Sequence, residues 1–191
     1  MTKSILLVGV GGQGTILASK LLTIGLMEMG YDVKMSEIHG MAQRGGAVSS
    51  QVRYGEKVQS PVIELGDADI LVSFEKMEAV RWLEYLKPSG NVIVNDLEIN
   101  STPILTGEAE YPKQAIAEIE KAGIPVSVVN ATAAAEKLGN PKVMNVILLG
   151  ATVRQMDLAG VDWEKIIRGN VPEKLAELNV NAFRTGMELV N

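Results

Sequence analysis

The chain predicts an α/β fold: a single doubly wound, mostly parallel sheet of the Rossmann-like kind, followed by a helical C-terminal tail. Three observations carry this prediction. Apolar runs at residues 5–10, 68–74, 91–95 and 124–129 read as buried strands. Helical patterns punctuated by glycine and proline lie between them. A Gly-x-Gly-Gly-Gln-Gly turn follows the first strand, where such sheets begin their first helix.

Each element has its own signature. The run at 5–10 ends in the tight turn Gly9-Val10-Gly11-Gly12-Gln13-Gly14. Leu17, Leu21 and Ile24 then recur at i, i+4 and i+7, so a helix with one apolar face follows. Gly30 is read as the left-handed residue that ends it. Residues 31–35 return as a strand, making strand, helix and strand a right-handed βαβ unit. Residues 47–54 alternate apolar and polar, as expected of a half-exposed strand, antiparallel or at an edge. Residues 56–66 connect, with Pro61 among them.

The run at 68–74 is a buried strand, and 75–86 a helix with Ala79, Leu83 and Leu86 on one side. A Pro88-Ser89-Gly90 turn leads into the strand 91–95. Residues 96–111 form a long polar loop with Pro103 and Gly107, a candidate lid or contact arm. Residues 112–122 suit a helix, with Pro112 first and Gly123 just past its end. After the strand 124–129 the chain is helical. A short helix to 138 meets Gly139-Asn140-Pro141, a long helix runs to about 157, and shorter helices lie around 162–168, 172–178 and 181–190. Asn145, Gly150 and Ala151 in the long helix permit close packing. No repeat or linker interrupts the chain, so 1–191 reads as one domain.

Composition limits the chemistry. The net charge of −5, with no basic stripe, argues against nucleic acid. The apolar run at 5–10 is too short, and too broken by glycine, to be a signal core or a membrane span. A cytoplasmic location with no membrane contact is the expectation. The absence of cysteine excludes disulfides, thiolate-held iron–sulfur clusters, cysteine zinc sites and a cysteine nucleophile. With a single histidine, His39, the chain offers no catalytic constellation and no metal site of its own.

Two motifs remain. Gly9, Gly11 and Gly14, with Gly12 and the carboxamide of Gln13, fit a dinucleotide fingerprint in which glycines admit a phosphate to a helix N-terminus. The same glycines equally serve close packing of the helix on the sheet. The acid expected after the second strand is met by Glu37, 37 − 14 = 23 positions past Gly14, against about 20 in the usual pattern. Glu37 belongs to the second motif, residues 36–46, read as a loop at the end of the second strand. It adds His39, Gln43 and Arg44 with Gly40, Gly45 and Gly46. Arg44 offers a planar fork for carboxylate or phosphate, and His39 a proton donor or acceptor near neutral pH. Alternatively, Glu37 and Arg44 pair to hold the loop and His39 is a structural hydrogen-bonding residue. The glycines favour binding for the loop as a whole. Asp67 and Asp69 read as capping or solvated rather than metal-ligating.

Together the two motifs, with Asn145 and Leu149-Gly150-Ala151, resemble the gamma subunits of 2-oxoacid:ferredoxin oxidoreductases, above all the small (beta) subunits of the indolepyruvate type. The resemblance covers nearly the whole chain. It implies oxidative decarboxylation of a 2-oxoacid to an acyl-CoA, with electrons passed to ferredoxin. It implies that thiamine diphosphate, its magnesium and 4Fe–4S clusters sit on one or more larger partner chains, coenzyme A being a co-substrate. This chain then binds coenzyme A phosphate or forms the subunit interface through Gly9, Gly11, Gly12, Gln13, Gly14, Glu37, His39, Gln43, Arg44, Gly45 and Gly46. The isolated chain is expected to be inactive, and whether it pairs as a homodimer stays open. A free-standing NAD(P)-binding oxidoreductase is the alternative.

Overall fold

The computed structural model describes residues 2–38 and 46–190 in full, and residue 39 in its backbone. The first strand, β1 (Lys3–Val10), is buried from Ser4 onward, as an unbroken apolar run must be when both faces of a sheet are covered. Helix α1 (Thr15–Glu28) follows, and Gly30, at φ 86°, turns the chain into β2 (Asp32–His39). Then come β3 (Ala47–Gly55), β4 (Ala68–Ser73), α2 (Lys76–Arg81) and β5 (Leu86–Asn95). Helices α3 (Thr102–Leu105) and α4 (Ala115–Lys121) precede β6 (Val126–Val129). The chain ends in α5 (Ala131–Lys137), α6 (Met144–Gln155), α7 (Trp163–Asn170) and α8 (Ala176–Glu188).

Among the described residues the sheet has six strands in the order β2-β3-β1-β4-β5-β6. Strand β1 pairs parallel to β4, β4 to β5, and β5 to β6. Strand β3 pairs antiparallel to both β1 and β2. The α/β class and the mostly parallel sheet are as expected, and of the two readings for β3, antiparallel or at an edge, the first holds. The strand lies between β1 and β2 rather than at an edge, and Val48 through Val52 are buried. The α1 crossover still brings β2 parallel to β1, two places away, and the next strand folds back into the gap. The edge therefore belongs to β2, which runs to His39, so residues 36–39 are strand rather than loop.

Smaller departures have local causes. Strand β5 starts at Leu86, and residues 87–90 bulge opposite β4, which pairs Ala68 with Leu86 and Ile70 with Asn91. Gly90 makes the bulge possible, because a Cβ there would sit 2.6 Å from Leu86 Cδ1. The helix expected over 75–86 stops at Arg81 and ends in a 3₁₀ turn, Leu83–Tyr85. The helix expected from Pro112 starts at Ala115. In α1 the buried face is Ala18, Leu21, Leu22 and Leu26, while Leu17 and Ile24 are only partly covered. The last two expected helices join as α8.

The two faces of the sheet carry separate cores. Ile5, Leu7, Ile70, Val72 and Ile93 pack against α1, α6, α7 and α8. Leu6, Val8, Leu71, Val92 and Val94 pack against Ala79 of α2, Ile119 of α4 and Ile63. Helix α6 is buried at every residue from Met144 to Val153, so the C-terminal helices form a layer of the fold. It crosses α8 backbone to backbone. A Cβ on Gly150 would strike the Phe183 carbonyl, and one on Gly186 the Ile147 carbonyl. No helix among the described residues is long and apolar enough to cross a membrane.

At the amino ends of the strands, Asp69 joins β4 to β1. Its carboxylate accepts from Ser4 N–H (2.8 Å), Lys87 Nζ (2.9 Å) and Lys3 Nζ (3.3 Å), while Asp67 pairs with Arg53 at 2.9 Å. Both aspartates are ion-paired rather than merely solvated. Burial alone raises the Asp69 pKa, but the bonds from Lys87 and Ser4, with the nearby lysine charges, outweigh it and hold the group below 3.8. A lowered carboxylate pKa adds stability that is complete above the unfolded value and lost as pH falls through the folded one. The unfolding free-energy difference between the native chain and Asp69→Asn is thus expected to be flat from pH 7 to about 4 and to shrink below that, read by urea titration at each pH. Gly186→Ala is expected to overpack the α6–α8 crossing by about 2–3 kcal/mol, lowering the melting temperature by about 5–10 °C in a thermal melt.

Candidate functional site

The carboxyl end of β1 gathers most of the residues singled out in the sequence. Gly9 lies flat against β4, since a Cβ there would be 2.9 Å from Phe74 Cβ and 2.7 Å from Gln13 Oε1. The turn after it is held from within. Gln13 Oε1 accepts Val10 N–H at 2.7 Å, and Gln13 Nε2 donates to the Phe74 carbonyl at 3.0 Å. That carbonyl also accepts Asn95 Nδ2 at 3.2 Å, and Asn95 reaches on to Thr132 Oγ1 at 2.9 Å. Two carboxamides thus lace the ends of β1, β4 and β5 to the start of α5.

Gly11 N–H donates to the Gly46 carbonyl at 2.9 Å, which ties the β2–β3 hairpin to the turn. Gly14 caps α1 in the left-handed conformation at φ 81°, and Asn145 Nδ2 of α6 donates to its carbonyl at 3.1 Å. Gly12, at φ 101°, has nothing within 4 Å of where its Cβ would be. The fingerprint glycines are therefore largely occupied by the protein's own groups, and Gly12 is the one open toward solvent.

Glu37 sits on β2 opposite Ser50, which is itself opposite Leu7 of β1. Its carboxylate accepts Ser19 Oγ at 3.1 Å. Two strand spacings, roughly 10 Å, separate it from β1, whereas a dinucleotide site needs its acid on the adjacent strand. The His39 backbone pairs with Val48. Its side chain, together with Gly40, Gln43, Arg44 and Gly45, lies outside the described residues. Gly46 closes the hairpin onto the turn.

A cleft of about 660 Å³ opens beside the turn, at the carboxyl ends of the parallel strands. Gly12, Gln13 and Gly14 form one wall, Leu97 and Ile99 a second, and Asn140 through Asn145 a third. Among the described residues Lys142 is the only charged side chain lining it, and it is exposed. The described residues hold no group of three or more His, Cys, Asp or Glu placed to bind a metal ion. Sequence reading missed Asn95, Thr132 and Lys142. Asn95, a carboxamide closing an apolar strand, was the one signal available.

A second cavity, about 960 Å³, lies on the other face between α2 and α4. Beside it Glu75, wholly buried, caps α2 by accepting Glu78 N–H at 3.0 Å and also accepts Ile99 N–H at 3.1 Å and the Tyr111 hydroxyl. Burial and then the bond to Glu75 push the Tyr111 pKa up, so its hydroxyl stays a donor. Burial raises the Glu78 carboxyl, against the opposing effect of Arg81. Sequence reading passed over Glu75, which looks there like an ordinary acid at a helix start.

Comparison with known proteins agrees with the fold. The profile of the family described as pyruvate ferredoxin/flavodoxin oxidoreductase matches residues 4–189. The chain is 36% identical to the indolepyruvate oxidoreductase subunit IorB of Thermococcus kodakarensis, over 97% of this chain and 94% of that one. It is 30% identical to the 2-oxoglutarate synthase subunit KorC of Methanothermobacter marburgensis, over 100% of this chain and 97% of that one. The crystal structure of the keto/oxoacid ferredoxin oxidoreductase gamma subunit from Geobacter sulfurreducens superposes with a TM-score of 0.71 at 26% identity, covering 98% and 97% of the two chains.

The Gly14–Asn145 contact is open to a double-mutant cycle. Gly14→Ala carries both a left-handed alanine, about 1–2 kcal/mol, and a collision with the Asn145 carboxamide. In an Asn145→Ala background only the first cost remains. The destabilisation measured by urea unfolding is expected to be larger in the native background by about 1 kcal/mol or more.

Proposed function

The chain belongs to the pyruvate ferredoxin/flavodoxin oxidoreductase family, and from that premise we propose that it works, as one domain, as the small gamma-type subunit of an indolepyruvate-type 2-oxoacid:ferredoxin oxidoreductase. The assembled enzyme decarboxylates an arylpyruvate oxidatively to its acyl-CoA and passes the electrons to ferredoxin.

The observation that carries this reading is the hydrogen bond from Gly11 to Gly46. It joins the two motifs into one surface and spends an amide that a free-standing nucleotide enzyme would offer to phosphate. Strand β3, between β1 and the Glu37 strand, removes the acid from its place in a dinucleotide site as well. Both facts count against the NAD(P) alternative.

The cofactors that the family implies do not fit this chain. Among its 191 residues there is no cysteine to hold a 4Fe–4S cluster, and no Gly-Asp-Gly followed by asparagine to hold thiamine diphosphate through magnesium. In this reading the larger partner chains carry both. The small subunit adds a rim beside the coenzyme A entrance, where Gly12 offers open backbone. Lys142 and Arg44 supply positive charge for its phosphates, and the hairpin anchored at Gly46 meets the large subunit.

Co-expression with the large subunit is expected to give a brown, iron-containing complex that is active only when both chains are present. In that complex Arg44→Ala and Lys142→Ala are each expected to raise the apparent KM for coenzyme A about tenfold, the loss of one charge-assisted hydrogen bond. Unchanged association together with unchanged coenzyme A affinity would refute the assignment, and so would stoichiometric binding of NADH by the isolated chain.

A further inference from the structure

The connection between β5 and α4 links the two cavities. Leu97 and Ile99, at its start, form a wall of the strand-end cleft, while Ile104 and Tyr111 further along line the cavity between α2 and α4. Its internal bonds are local: Ile104 and Leu105 N–H to Ser101, Thr106 N–H to Thr102, and Glu108 and Ala109 N–H to Pro103. They shape the segment without fixing where it sits.

Asp96 N–H, at its first residue, donates to the Val129 carbonyl of β6 at 2.9 Å, and beyond that its position is set by the first residues of α2, where Lys76 Nζ also pairs with Asp96 and Glu98. Lys76 N–H donates to the Leu97 carbonyl at 3.0 Å, and Met77 N–H donates to the Tyr111 hydroxyl oxygen at 3.1 Å. One oxygen of Glu75 receives both Ile99 N–H, from the start of the connection, and the Tyr111 O–H, from its end. Its other oxygen receives Glu78 N–H. Three donors thus converge on a wholly buried side chain with no lysine or arginine paired to it among the described residues. Only an acceptor-only group satisfies all three, because glutamine would turn an NH₂ toward at least one of them. A buried carboxylate held by donors alone is costly to place, so its position has a specific cause.

We propose that Glu75 and Tyr111 are positioning residues. By clasping both ends of the 96–111 connection they hold Leu97 and Ile99 at the spacing the strand-end cleft needs, and so set the affinity of the assembled enzyme for coenzyme A. This rests on the reading of that cleft as the coenzyme A entrance.

Tyr111→Phe keeps the ring and removes the clasping hydroxyl. Two measurements test it: hydrogen exchange across 96–111 in the full chain, and coenzyme A kinetics in the reconstituted complex. Exchange at Ile99 and its neighbours is expected to quicken about tenfold, with a several-fold higher KM for coenzyme A and kcat within about twofold of native. Unaltered exchange overturns the clasp whatever the cleft binds. Faster exchange with an unaltered KM, in a complex where Lys142→Ala does raise KM, overturns the positioning role and leaves the cleft assignment standing. If Lys142→Ala and Arg44→Ala also leave KM unaltered, the cleft assignment falls, and this proposal with it.

Discussion

The carboxyl edge of this protein depends on where β3 runs. Paired antiparallel with β1 over eight residues and with β2 over eight more, it is locked in from both sides. That insertion delivers the Gly46 carbonyl to Gly11 N–H and converts a phosphate-like turn into the seat of a hairpin. The glycines then serve close approach. Gly9 lets Phe74 and the Gln13 carboxamide lie where a side chain would be, and Gly14 does the same for Asn145. Gln13 and Asn95 finish the edge by sharing the Phe74 carbonyl. Among the described residues a donor-rich sequence has become a largely self-satisfied surface, open at Gly12 and at the rim by Lys142.

Much of this was legible in the residues. Apolar runs located β1, β4, β5 and β6 because a strand covered on both faces has little room for polarity, and Gly30 and Gly123 marked ends that the left-handed conformations confirm. The rank of β3 in the sheet was not legible, because strand order is a nonlocal property. The strand read as half-exposed, yet its polar Ser49, Ser50 and Gln51 are all buried, and Gln51 Oε1 accepts Ile63 N–H at 2.7 Å from the connector that covers that face. Likewise Ser36 to His39 looked too polar for strand, but an edge strand tolerates polarity. At the site, the glycine turn and Asn145 were visible as motifs. The occupation of their hydrogen-bonding groups, and the burial of Glu75, depend on partners dozens of residues away.

The division of labour proposed above rests on the same inventory. A chain without cysteine, with one histidine and with its fingerprint amides turned inward has little with which to perform redox chemistry alone. What it does have is precise placement. Helix α6, buried from Met144 to Val153 and in backbone contact with α8, is a packed base, and Asn145 at its start reaches the cap of α1. The glycine turn is thus tied to the buried helical layer, and the hairpin to the turn.

The outer margin of β2 has a bearing on how copies of the protein meet. Among the described residues it presents eight residues of backbone with no strand on that side, bears no proline, and exposes Met35 and Ile38 on opposite sides. Such a margin is a template for illegitimate strand addition. Copies with that margin uncovered would favour clumping, a tendency that the charges of Asp32, Lys34 and Glu37 oppose.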